Sequence, residues 1–328
     1  MKSVFVFCFV TCQARMEAAL KADLAPAKAA FQRPGFVTFK SDRPLDSMFA
    51  RVAGVTLERL SKEDAENPRR VEALFGAEPD VVHVFARDTA DDNERAALEA
   101  TRAQLAAALP WPNVATENGQ RVADVIVVEP EVVYVGAHTH DRSASPYAGA
   151  LLPLAMPQDA PSRAWLKLED ALHRFQLSPQ PGEIAVEIGA APGGAAFALC
   201  SRGLFTHGVD PAAMSPNVLA LRHPNGDRLY THVQKPFAHV GKRDLPAHAD
   251  YLLLDVNVAP KESGEMAKKC IGLFAKKPRV CLLTFKLGSK AAAADVRAEI
   301  ARLGALGYGD VRARQLASSH KEIVVCAR

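Results

Sequence analysis

Ala185-Val-Glu-Ile-Gly-Ala-Ala-Pro-Gly-Gly194 is the stretch whose reading decides the fold. Its opening residues read as a buried strand that breaks into a glycine- and proline-rich turn, and 195–202 reads as the helix that follows. Such a strand–turn–helix unit lets a ligand come close to backbone where Gly189, Gly193 and Gly194 carry no side chain. About 20 residues on, a second short strand, Phe205-Thr-His-Gly-Val-Asp210, ends in an acid placed to hold a ribose hydroxyl. Pro192 breaks the open glycine pattern of dinucleotide sites. The spacing therefore predicts a nucleotide-like cofactor without a pyrophosphate, and S-adenosylmethionine fits it best.

Working outward, segments 163–175, 184–189, 195–203, 205–210, 251–255, 264–275, 279–285, 291–306 and 322–327 alternate between helical and strand patterning. That grammar predicts an α/β domain with a mostly parallel sheet and helices on both faces. The preceding half reads differently. Strand 3–10, helix 13–23, strand 35–40, a charged helical segment over 61–75, strand 81–85, a long helix from Asp92 to Leu109, and strands 124–128 and 132–136 joined by Glu129-Pro-Glu131 predict an α+β module. The Pro/Ser/Ala-rich stretch 137–163 connects the two. The expected organisation is 1–60 and 61–150 as two N-terminal units, 151–162 as linker and 163–328 as the α/β domain.

Composition narrows the class. The chain has 328 residues, 48% of them hydrophobic and 23% charged, with a formal charge of +3. That describes a globular protein, less basic than a dedicated nucleic-acid-binding domain, so any RNA contact must come from local patches. The six cysteines show no CxxC pair and no His partners at zinc spacing, so no metal site is expected, and a reducing, cytoplasmic setting fits them. No run approaches a membrane span. The apolar opening Met1–Val10 has a short core with no clean cleavage site after it, and reads as a first strand rather than a signal peptide.

Four further residues stand where an open α/β sheet places its ligands, beyond the carboxyl ends of the strands. Lys167 lies on the helix before the first core strand, Asp255 ends 251–255, Lys286 ends Val280-Cys-Leu-Leu-Thr-Phe-Lys286, and Glu322 begins 322–327. Each alone has a plainer reading: a solvated lysine, a charge where a strand meets water, an edge residue, a tight turn. Their order and joint placement favour a site.

In that order Lys167, Asp255, Lys286 and Glu322 resemble the Lys-Asp-Lys-Glu tetrad of FtsJ-type RNA ribose 2′-O-methyltransferases, and Gly189–Gly194 resembles that family's cofactor motif. The segment Asp159-Ala-Pro-Ser-Arg-Ala-Trp-Leu-Lys-Leu-Glu-Asp-Ala-Leu-His-Arg-Phe175 is most similar to the RlmM family, 23S rRNA cytidine 2′-O-methyltransferases with a ferredoxin-like unit and a THUMP RNA-binding domain ahead of a Rossmann-like catalytic domain. The resemblance implies S-adenosylmethionine as cofactor, RNA (23S rRNA in particular) as partner and a cytoplasmic setting. It implies cofactor binding by Glu187, Gly189, Ala190, Pro192, Gly193, Gly194, Asp210, Gln234 and Asp255. Lys286 is then either the base that takes the 2′-OH proton or a charged group that steers the hydroxyl. Asp255 serves the cofactor and orients Lys286, and Glu322 positions Lys286 or the ribose. Two departures stand out. Ala195 replaces an aromatic common after the glycine pair, and the acid near the adenine is not obvious, with Gln234 or Asp227 the candidates. Basic residues at 242–243 and over 261–279, and Arg51, Arg69, Arg70 and Arg142 in the first half, are the candidate RNA contacts. Alternatives left open are another RNA target (tRNA, another rRNA site or an mRNA cap) and a catalytically silent RNA-binding ribosome-assembly factor.

Overall fold

The structure is a computed structural model and describes residues 7–41, 43, 45–75, 79–111, 113–287 and 293–328. Residues 3–6 of the expected first strand and 291–292 of the expected last helix lie outside the described residues. The chain divides into two compact units, 1–152 and 153–328.

Unit 1 runs β1 (Phe7–Thr11), α1 (Glu17–Asp23), β2 (Lys28–Arg33), β3 (Phe36–Lys40), β4 (Ala53–Ser61), α2 (Lys62–Ala65), α3 (Pro68–Glu72), β5 (Val81–Ala86), α4 (Asp92–Ala108), β6 (Arg121–Glu129) and β7 (Val132–Thr139). Its strands form one sheet in the order β2-β3-β1-β4-β7-β6-β5. β4 itself crosses residue 60, so the expected segments 1–60 and 61–150 share a single sheet. Alternation sorts its side chains. Val125, Val127, Val133 and Val135 face Leu98 and Leu105 of α4, whose N-cap Asp91 accepts from Glu94 N. Phe9, Phe36, Ile126, Val128 and Tyr134 occupy the other face. The Phe9 ring lies over Gly54 and Gly136, where a Cβ would come within 2.8 and 2.4 Å of its edge. Both positions therefore need glycine.

Unit 2 runs α5 (Ala164–Arg174), β8 (Ile184–Ile188), α6 (Gly194–Cys200), β9 (Phe205–Val209), α7 (Pro216–Leu219), β10 (Tyr230–Val233), β11 (Tyr251–Leu254), α8 (Pro260–Ile271), β12 (Val280–Lys286), α9 (Ala293–Ala305), β13 (Val311–Arg314) and β14 (Glu322–Ala327). Its sheet order is β10-β9-β8-β11-β12-β14-β13. The five strands from β10 to β12 are parallel. β14 enters antiparallel between β12 and β13. This is the Rossmann-like, mostly parallel α/β fold expected. Ala185, Tyr251, Leu253, Val280 and Leu282 point to one face and pack on Leu168, Leu172, Ala198 and Leu199 of α5 and α6. α8 and α9 pack on one another and against β12, β13 and β14.

The elements differ from expectation at several ends. α8 begins at Pro260, one turn before the expected 264, because proline is suited to a first helical turn. α1 begins at Glu17 rather than residue 13, since Arg15 adopts a left-handed φ of 74°. The chain also forms β2, β4, β10 and β13, which were not anticipated.

Candidate active site

β8 is an interior strand of the unit 2 sheet, paired on both sides, and brings its charged residue into the interior. Glu187 is 3% exposed. Burial, with Asp255 and Asp210 nearby, pushes its carboxyl well above the usual carboxylate range, against a hydrogen bond from the Ala196 backbone. Its Oε2 is buried and has no hydrogen-bond partner among the described residues. A buried carboxyl oxygen left without a donor is costly unless a ligand supplies one.

After β8 the chain turns at Gly189, whose φ is +84° and whose absent Cβ would sit 2.4 Å from the Asp255 backbone oxygen. Only glycine allows the loop and the end of β11 to approach so closely. The loop amides are less bare than the sequence reading supposed. Gly189 N and Ala190 N donate to Val209 O, at 2.9 and 3.4 Å. Asp210 accepts from Ala191 N at 3.1 Å and from Ala212 N at 2.8 Å. Asp210 thus ties the loop through one oxygen and closes its own turn through the other. At Gly194 a Cβ would meet Ser162 Oγ at 2.4 Å, so this glycine lets the start of α5 lie directly against α6.

Two clamps fix α5 close to Lys167. Arg202 donates twice to Glu169, both bonds 2.6 Å, in the bidentate geometry that fixes orientation as well as distance. Ser318, ahead of β14, donates to Asp170 through its amide (2.9 Å) and its hydroxyl (2.8 Å). Lys286 and Glu322 are direct cross-strand partners of β12 and β14. Asp255 follows β11, the parallel neighbour of β12. Three strand ends and one clamped helix therefore converge.

The result is a closed ring of alternating charge. Lys286 Nζ donates to Asp255 Oδ1 and to Glu322 Oε1, each at 2.6 Å. Lys167 Nζ donates to the other Asp255 oxygen at 3.3 Å and to Glu322 Oε1 at 3.1 Å, with Glu322 Oε2 2.8 Å away. All four side chains are between 13% and 27% exposed, so the ring opens to solvent without being immersed in it. Burial works against the Lys286 ammonium, but the hydrogen bonds and charges of Asp255 and Glu322 outweigh it and raise its pKa.

The ring borders a cavity of about 240 Å³ whose lining includes Lys167, Glu187, Gly189, Ala190, Ala191, Asp255, Asn257, Thr284 and Lys286. Of the residues expected to bind a cofactor, Glu187, Gly189, Ala190 and Asp255 line it. Pro192, Gly193, Gly194, Asp210 and Gln234 do not, and Gln234 is exposed just beyond β10. Asn257 and Thr284 were missed. Both were within reach of a period-two reading, since Leu253, Asp255 and Asn257, and Leu282, Thr284 and Lys286, are alternate residues that line the same cavity. Among the candidate RNA contacts, Arg51 pairs with Asp88 at 3.5 Å, Arg70 with Glu58 and Arg279 with Glu183. These three are engaged within the protein.

Residues 160–272, which include Lys167, the glycine turn and Asp255 and end before Lys286 and Glu322, match the FtsJ-like methyltransferase model. The resemblance read from the sequence is borne out at that level. Curated relatives named ribosomal RNA large subunit methyltransferase M include one from Dickeya chrysanthemi (strain Ech1591), 35% identical over 113 residues, covering 32% of this chain and 31% of that protein. Another, from Shewanella sp. (strain ANA-3), is 30% identical over 205 residues, covering 58% of this chain and 56% of that protein. The chain thus spans from about a third to just over half of these relatives' lengths. Among solved structures, a putative ribosomal RNA methyltransferase from Plasmodium falciparum aligns with 51% of this chain and 96% of its own, at 18% identity and a TM-score of 0.37.

Proposed function

We propose that the chain is an S-adenosylmethionine-dependent RNA ribose 2′-O-methyltransferase acting in the cytoplasm on a cytidine of 23S rRNA, with a ferredoxin-like unit over 1–60 and a THUMP-like RNA-binding domain over 61–150. The observation that carries the chemistry is the ring itself: two lysines held by two carboxylates at the rim of one cavity. A structural ion pair needs one partner for each charge. Here both carboxylates serve both lysines, which fixes the lysine Nζ atoms in space and faces them toward the cavity.

The residues present fit the proposed cofactor. Glu187 offers a buried oxygen without a donor, suited to a cationic group, and lines the same cavity as Gly189 and Ala190. When bound, the cofactor supplies an electrophilic methyl group on a sulfonium. The protein's part is to orient the ribose 2′-OH in line with that methyl and to remove its proton. Lys286 receives the proton in its neutral form, with Lys167 holding the opposite side of the ring. Asp255 and Glu322 set the direction of both amines and disperse the charge as the lysine becomes ammonium. The 2′-oxygen would take the methyl group that the bound cofactor supplies, and its proton would rest on Lys286 before passing to solvent.

Replacing Lys286 with alanine tests this directly. Methyl transfer to RNA should fall by about 10²–10⁴, the range for losing a positioned proton acceptor, while calorimetric cofactor affinity stays within a few-fold of the parent. Undiminished transfer by Lys286→Ala would remove the ring from the mechanism.

A further inference from the structure

The α4-distal face of the unit 1 sheet has a groove that the methyl-transfer site does not use. It has a volume of about 630 Å³ and is lined by Phe7, Phe31, Lys40, Thr56, Leu57 and Tyr134 among others. The floor is aromatic. Phe31 stacks on Tyr134 with ring centroids 5.5 Å apart and planes 24° from parallel, and Phe36 lies beneath at 4.9 Å from Tyr134. Phe7 stands at the rim, 40% exposed. A single exposed ring is ordinary, but Phe7 lines the same groove as Phe31, Leu57 and Tyr134 and so extends one apolar patch.

Charge is arranged along the same face. Register places Lys28 opposite Lys40 and Lys40 opposite Phe7, so two lysines and the exposed ring form one row across β2, β3 and β1. Arg59 stands opposite Tyr134 in the β4–β7 pair, and the Arg33 guanidinium lies 4.9 Å above the Phe31 ring. The acids at the groove are engaged, Glu58 by Arg70 and Glu129 by Arg33. Two more features point into the groove. The Thr56 hydroxyl is buried and without a hydrogen-bond partner among the described residues. Immediately after it the β4–β7 register shifts, and the residue at the bulge, Leu57, is 37% exposed. Bulges of this kind re-aim side chains beside binding sites.

We propose that this face binds an unstacked, single-stranded stretch of RNA, bases on Phe7 and Phe31 and phosphates along Lys28, Lys40 and Arg59, with the Thr56 hydroxyl beside them. This rests on the reading of RNA as the substrate and assigns part of its grip to a defined surface. Aromatic stacking suits single strands because it engages the faces of bases that a duplex keeps covered. The cationic row selects a polyanion over an apolar peptide.

The test is fluorescence anisotropy of the full chain with a labelled oligouridine about ten nucleotides long, within the span of known single-strand sites, against an RNA duplex of the same length. Phe7→Ala and Phe31→Ala should each weaken single-strand binding roughly tenfold, Phe31→Trp should bind like the parent, and cofactor affinity should not change in any of them. Phe7 is exposed, so its alanine variant reports on binding rather than folding. Equal single-strand affinity in parent and alanine variants overturns the proposal. So does a preference for the duplex, or sedimentation showing that Phe7→Ala instead disrupts self-association of the chain. Methyl transfer measured on the same preparations separates the two ideas. A parent that methylates RNA while the variants bind single strands normally defeats only the groove. Variants that lose single-strand binding support the groove even where the parent transfers no methyl group.

Discussion

Lys286 carries the tension of the site. A proton acceptor must be neutral when the hydroxyl arrives, yet Asp255 and Glu322 raise the pKa of Lys286 above its ordinary value. At neutral pH the active, uncharged fraction is therefore small. The transfer rate should rise about tenfold per pH unit through the neutral and mildly alkaline range. Glu322→Gln removes one of the two stabilising charges, so the lysine gives up its proton more readily and the rising limb moves to lower pH, whatever the maximal rate. A pH profile unmoved by Glu322→Gln would mean that Lys286 acts as a permanent cation that steers the hydroxyl. Glu187 supplies a second pH-dependent term of opposite charge. Burial, with Asp255 and Asp210, disfavours the ionised form of its carboxyl, whereas pairing with a cationic cofactor group favours it. Cofactor affinity, measured by calorimetry, should rise with pH as Glu187 ionises. Glu187→Gln should bind more weakly and lose that dependence. Asp255, Lys286 and Glu322 were legible as candidates because each ends or begins an apolar run, whereas Lys167, inside α5, stood out only with the other three. Their hydrogen-bonding was not legible. Nothing in the order of residues distinguishes the busy oxygens of Asp210 from the partnerless Oε2 of Glu187.

At the level of elements, the cofactor loop is set by close approach rather than by open amides. Gly189→Ala places a Cβ against the Asp255 carbonyl in a left-handed conformation. The strain, of order 1–3 kcal/mol, must be relieved by moving the loop, Asp255 or both. Cofactor affinity should fall about tenfold or more, and methyl transfer should fall further, because Asp255 also belongs to the ring. Unchanged cofactor affinity in that variant would show that the loop is not part of the pocket. The core strands β8, β11 and β12 were visible as apolar runs because the sheet buries both of their faces. The missed strands lack that signal for identifiable reasons. β2 is an exposed edge carrying Lys28 and Arg33. The alternation of β4 slips at the bulge beside Leu57. β13 has four residues, two of them arginines. The antiparallel entry of β14 was equally hidden, since direction leaves no mark on a short apolar run.

Across the whole molecule, the modest charge of +3 leaves the proposed RNA recognition to local surfaces. Two such surfaces have a defined chemistry: the charged ring at the cavity of unit 2, and the aromatic groove with its row of lysines on unit 1. Composition could bound this division of labour but not locate it, because Phe7, Lys28 and Lys40 meet only through the pairing of three strands. Among the described residues no helix is long and apolar enough to cross a membrane. The most direct test of the central claim is transfer of a labelled methyl group from S-adenosylmethionine to unmodified large-subunit rRNA, followed by alkaline digestion. Methylation of the ribose 2′-oxygen blocks cleavage of the adjacent phosphodiester, so the account predicts label in an alkali-resistant dinucleotide that begins with cytidine, and its absence with Lys286→Ala. Label recovered in ordinary mononucleotides would mean that a base is methylated, and would contradict the role assigned to the ring.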